Sequence, residues 1–132
     1  MLSDEDKRAL SNVRYEHAEK CLKEANILLK TENFMGAANR SYYAVFHAMR
    51  SVLALDGIDR KHHSGIISEF RRLYVKTGIF QAEYSEIIDR QSFYRTNSDY
   101  NDFFIISKKE VVEQVADADR FLIAIRDYLK NR

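Results

Sequence analysis

The segment "NRSYYAVFH", residues 39–47, sets a permanent cation, Arg40, seven positions before a titratable imidazole, His47. On a helix, seven residues make two turns less about 20°, so the two side chains point almost the same way, about 10.5 Å apart along the axis. A histidine exchanges protons near neutral pH, and an arginine presents a charged fork that fits a phosphate. Such a pair could serve proton-transfer chemistry on a phosphate-bearing ligand, the imidazole as proton acceptor and the guanidinium as anion holder. The same residues also fit a plainer account, in which His47 is a satisfied structural histidine and the Tyr42, Tyr43 and Phe46 rings are packing.

Hydrophobic spacing supplies the helices that must carry this pair. The first runs from about Asp4 to Lys30, with Ser3 as its N-cap and Asp4, Glu5 and Asp6 at the positive end of its dipole. Leu10, Val13, Ala18, Cys21, Leu22, Ala25, Leu28 and Leu29 form its apolar face. Arg14, Glu16, Glu19, Lys20, Lys23 and Glu24 are assigned to its surface, and Cys21 to the core. The second is capped by Asn33, carries the Arg40–His47 segment, and stops near Leu55 before Asp56 and Gly57. A third spans about Ser64 to Lys76 and ends at a left-handed Gly78; a fourth spans about Phe80 to Tyr94. The polar run "RTNSDYND" then reads as a connection, with Arg95 and Asp99 a structural pair in a loop. The last helix starts at Ser107, where Ser107 and Glu110 make a capping box. The spacing therefore predicts an all-α, up-and-down bundle of four to five helices, forming one domain over residues 1–132.

The second helix is unlike the others. Ala38, Tyr42, Val45, Phe46, Met49, Val52 and Leu53 share a core face, and Arg40, Tyr43, Ala44, His47, Ser51 and Ala54 lie opposite. That second face carries no Lys or Glu. A helix that is apolar or small all round is usually covered all round, and a two-fold homodimer would supply the cover. Arg60, Lys61, Arg71 and Arg72, around "DRKHH" and "FRRLYVK", form either a modest basic rim or an ordinary solvated helix face.

Composition narrows the remaining chemistry. The 132 residues contain no proline, which suits an almost wholly helical chain, and the net charge of +1 gives no bulk attraction for nucleic acid. One cysteine excludes an intramolecular disulfide, and the acidic start "MLSDEDK" is unlike a signal peptide. With no apolar run long enough to span a membrane, the expected location is cytoplasmic. There is no phosphate-binding glycine loop. His62 and His63 are adjacent rather than a helical turn apart, and there is no second cysteine. Neither a metal nor a cofactor is expected.

"NRSYYAVFHAMRSVLALDGI", then "KHHSGIISEFRRLYVKTG", then "YRTNSDY" together resemble the small stand-alone HEPN proteins of prokaryotes, over about residues 8–128. Arg40 to His47 fits that family's R-x4-6-H motif. The resemblance implies a helical bundle that dimerises around the motif helices. It implies a metal-independent ribonuclease, often a toxin, with Arg40 and His47 catalytic. Some members are paired with a minimal nucleotidyltransferase antitoxin; others are non-catalytic modules that bind a nucleotide or that partner. Tyr43, Ser41 and Asn39 are the further substrate-binding candidates. Tyr43 could stack on a base or pack at the dimer seam. Ser41 stands where active members commonly carry Asn, Asp or His, and Met49 stands where members modified by their partner carry a tyrosine.

Overall fold

The computed structural model describes all 132 residues as five α-helices: α1 (Asp4–Lys30), α2 (Phe34–Leu55), α3 (His63–Phe70), α4 (Ala82–Tyr100) and α5 (Lys108–Lys130). The caps read from the sequence are in place. Ser3 accepts from the Asp6 amide, Asn33 accepts from the Gly36 amide, and Ser107 and Glu110 close a reciprocal capping box. Gly78 takes the left-handed conformation, with φ of 83°, as its place after a helix end requires.

Helix α2 is the axis of the bundle and packs against all four other helices. Of its 22 residues 13 are buried, which explains why it has almost no charged face. Its most extensive contact is with α1. Here the structure corrects one expectation. Ala44, Ser51 and Ala54 are buried within the single chain rather than left for a second copy. Ser11, Ala18 and Ala25 of α1 have the same seven-residue spacing as Ala37, Ala44 and Ser51 of α2, and all six are wholly buried. Run antiparallel, as the three-residue link between the helices dictates, the two sets fall into register. Small side chains on both sides let the helix axes approach closely. The uncovered part of α2 is a narrower edge of half-buried residues: Asn39, Arg40, Tyr43, His47 and Arg50.

Two other boundaries differ from expectation. Helix α3 gives way to a π-helical turn over Arg71–Val75, in which the Lys76 amide reaches back to the Arg71 carbonyl at 2.9 Å. The wider turn keeps both Phe70 and Tyr74 in the core. Helix α4 continues six residues past Tyr94, so Arg95 and Asp99 lie on a helix and not in a loop. The i,i+4 ion pair between them, at 3.1 Å, and the Asn97 amide returning to the Phe93 carbonyl at 2.9 Å support that last turn. The extension matters to the site, because it carries Arg95 across to α2.

A polar network ties α2, α4 and α5 at mid-height. The Ser41 hydroxyl donates to Gln91 Oε1 at 2.9 Å, and Gln91 Nε2 donates to the Gln114 carbonyl at 2.8 Å. Gln114 Nε2 donates to Gln91 Oε1 at 2.7 Å and to the Ala38 carbonyl at 3.1 Å. All three side chains are buried, and a polar network in such a place fixes the register of the helices it joins.

Candidate functional site

Arg40, Tyr43 and His47 come together along the uncovered edge of α2. Asn39 orients the arginine: its Oδ1 accepts from Arg40 Nε at 3.0 Å and from Nη2 at 2.7 Å. The other arm of the guanidinium, Nη1, lies 3.9 Å from Cys21 Sγ on α1. The Arg40 guanidinium carbon sits 5.1 Å from the Tyr43 ring centre, within cation–π range, and the Tyr43 ring is 6.1 Å from that of His47.

His47 is half-buried, and its Nδ1 is buried with no hydrogen-bond partner. Burial pushes its pKa down to about 4, helped by the nearby positive charge of Arg50, and then by His17, Arg40 and Arg14. The imidazole is therefore neutral at pH 7, the form that accepts a proton. His17, reaching over from α1, meets it edge-on at 5.8 Å.

Several neighbours complete this edge, and of them Arg50 and Asp59 carry no signal in the sequence reading. Arg14, expected on the surface of α1, is only 8% exposed; it donates to Asp59 Oδ2 at 3.2 Å and contacts the Arg50 carbonyl at 3.5 Å. Arg50 pairs with the other oxygen of Asp59 at 3.7 Å. His63 shares a hydrogen bond of 3.0 Å with the Tyr42 hydroxyl and stacks on Phe46 at 4.1 Å. Arg95 Nη2 reaches the Tyr43 hydroxyl at 3.4 Å. Four arginines from three helices thus surround the Tyr43–His47 edge, faced by two carboxylates, Asp59 and Asp99. Such a field favours an anion.

One expectation is corrected here. Ser41 does not reach the site. It is wholly buried, turned from Arg40 by one helical step and held by Gln91 and Gln114, so it cannot contact a substrate. The basic rim is half neutralised, since its four cations, Arg60, Lys61, Arg71 and Arg72, meet two carboxylates, Glu69 and Asp89. Arg60 and Arg72 both pair with Glu69, at 3.2 and 2.9 Å, and Arg71 is bound to Ser85 and Asp89. Elsewhere, no three His, Cys, Asp or Glu side chains converge in a way that could hold a metal ion, and no helix is long and apolar enough to cross a membrane.

Comparison with known proteins bears on the family and the fold. Residues 11–128 match the HEPN domain. A UPF0332 protein of Thermotoga maritima is 32% identical over 86% of this chain and 86% of its own. A Methanocaldococcus jannaschii protein named as a candidate toxin, MJ0142, is 31% identical over 86% of this chain and 78% of its own. Another of the same name and organism, MJ0605, is 29% identical over 98% and 96%. The crystal structure of ST0689, described as an archaeal HEPN homologue, superposes with a TM-score of 0.60 over 98% of this chain and 99% of that one, at 19% identity, which speaks to the fold alone. With a five-helix bundle and a domain match spanning nearly its whole length, the chain belongs to the HEPN domain family.

Proposed function

We propose that this protein is a metal-independent endoribonuclease that works as a homodimer, with a composite site where two copies of the Arg40–His47 edge meet. The observation that carries the reading is His47: a neutral imidazole with a buried, unpartnered Nδ1, on the same edge as an arginine that Asn39 holds in position. Nδ1 itself is closed to a ligand, so the part of the half-buried ring that stays open is the part that would meet a 2'-hydroxyl. An RNA phosphate would also reverse the sign of the local field. His47 is held down partly by surrounding arginines, and an anion among them raises its basicity toward the range where general-base catalysis is efficient. Arg40 holds the phosphodiester, His47 takes the 2'-hydroxyl proton, and the 2'-oxygen attacks the phosphorus as the P–O5' bond breaks and the 5'-oxygen leaves with a proton taken from water. Two-fold symmetry places a second such pair in the same cleft.

The relatives named as toxins support a toxin role, and the family resemblance alone suggests a minimal nucleotidyltransferase as antitoxin partner. Met49 occupies the position where partner-modified members carry a tyrosine, and it is only 1% exposed, so a partner here would act by covering the site. The reading is tested by incubating the purified protein with mixed RNA in EDTA and analysing the new ends. Fragments ending in a 2',3'-cyclic phosphate, or the 3'-phosphate derived from it, are the expected products. Intact RNA in the presence of a stable dimer would leave a non-catalytic module, binding a nucleotide or a nucleotidyltransferase, in its place.

A further inference from the structure

A second guanidinium reaches Tyr43 from the opposite helix. The guanidinium carbon of Arg95, on α4, lies 5.8 Å from the centre of the Tyr43 ring, which Arg40 approaches to 5.1 Å from α2. Arg95 is braced by two more rings, Tyr42 at 5.2 Å and Tyr100 at 5.9 Å, so its planar head is held rather than free to swing. Its charge is poorly matched. Asp99 Oδ2 lies 3.1 Å from Nε, but the contact is not aligned as a hydrogen bond, and Nε is left buried without an acceptor. Nη2 has only the long 3.4 Å contact to the Tyr43 hydroxyl, and Nη1 has no hydrogen-bond acceptor in the protein. Two cations that approach one tyrosine from α2 and α4, with one ill-aligned carboxylate on α4, form an arrangement that is incomplete until a further anion arrives.

We propose that Arg95 forms a second phosphate subsite: it binds a phosphodiester next to the one Arg40 holds, and Asp99 is the internal counter-ion that this phosphate displaces. The ligand class, single-stranded RNA, rests on the ribonuclease reading. A nucleic-acid strand presents its anions in series, and two arginines reaching one tyrosine from different helices would engage two of them at once. Arg95 then acts as a binding and positioning residue. Because it touches a phosphate that does not react, it binds ground state and transition state alike, so its loss raises KM and leaves kcat little changed.

The test measures how tightly the full-length protein binds a 2'-O-methyl single-stranded oligonucleotide, which cannot be cleaved, across a salt series. Arg95→Gln should weaken binding roughly 10- to 150-fold, the range for a lost charged hydrogen bond. It should also reduce the salt slope by about 0.7, the value for one phosphate of a single strand. Arg95→Lys should keep the slope. Asp99→Asn should bind roughly two- to fivefold tighter, because the competing surface ion pair is gone. A purely structural role for the pair predicts the opposite for Asp99→Asn, namely a less stable protein with no gain in affinity. If the parent binds and cleaves RNA while Arg95→Gln keeps the parent's salt slope and Asp99→Asn binds no tighter, the subsite is overturned and the ribonuclease reading stands. If the parent binds no RNA at any salt concentration, both fall together.

Discussion

The depressed pKa of His47 makes a quantitative demand on the stability of the fold. In the unfolded chain a histidine titrates near 6.5; in the folded protein His47 titrates at about 4. Between these values the unfolded chain takes up a proton that the folded chain refuses, so stability is full above about pH 7 and falls as the pH drops through 6.5 toward 4. Linkage puts the ceiling of this loss near 2 kcal/mol at pH 5 and about 3 kcal/mol at pH 4. Water reaches part of the half-buried ring, and screening brings the expected loss to about 1–2 kcal/mol. His63 is lowered in the same direction, chiefly by burial, and adds to the slope over the same window. Asp56, held down first by its hydrogen bonds from Arg132, works at lower pH, since its contribution disappears only below the ordinary carboxylate range. The assay is urea unfolding at pH 7.5, 6.0, 5.0 and 4.5, comparing the parent with His47→Gln. The parent's midpoint should fall more steeply with acid than the variant's. Parallel loss in both proteins across this range would refute the buried, neutral His47 on which the proposed chemistry depends.

Three further outcomes follow from the packing. Ala44→Glu should place an unpaired carboxylate between α1 and α2 and cost several kcal/mol, so circular dichroism should show a lower melting temperature or an unfolded chain, and not a folded monomer. Ser41→Ala should cost about 1 kcal/mol in chemical denaturation, because it removes one donor from the Gln91–Gln114 network, while the rate of RNA cleavage stays at the parent's value. Cys21 is buried and its thiol is pushed up by that burial, so it should react with a disulfide reagent only once the protein is denatured.

The helices and their caps were readable from local pattern because each signal lies within a few residues: Ser3, Asn33, and Ser107 with Glu110. The identity of whatever covers α2 was not. A face of Ala and Ser states that something packs closely but not whether the cover belongs to the same chain. The complementary signal was present in α1, where Ser11, Ala18 and Ala25 repeat the spacing of Ala37, Ala44 and Ser51; only matching the two strings shows an internal seam. Arg14 was misplaced because its partner, Asp59, is 45 residues away, and local periodicity assigns a charged residue to water. The polar run after Tyr94 obscured a helical turn that the i,i+4 spacing of Arg95 and Asp99 could have signalled. Of the candidate site, Arg40, Tyr43 and His47 share an edge as the helical wheel required, and Asn39 orients the arginine. Ser41 points inward because adjacent helical positions differ by 100°.

The most direct test of the central claim is single-turnover cleavage of one RNA in EDTA by the parent, His47→Ala, Arg40→Ala and the double variant, each first verified as folded. Loss of the general base should slow cleavage by roughly 10²–10⁴-fold, and loss of the phosphate-holding arginine by about 10- to 150-fold. Because both groups serve one transition state, the double variant should be little slower than His47→Ala alone. A His47→Ala protein that cuts as fast as the parent, or a parent whose cleavage stops on addition of EDTA, would contradict the account.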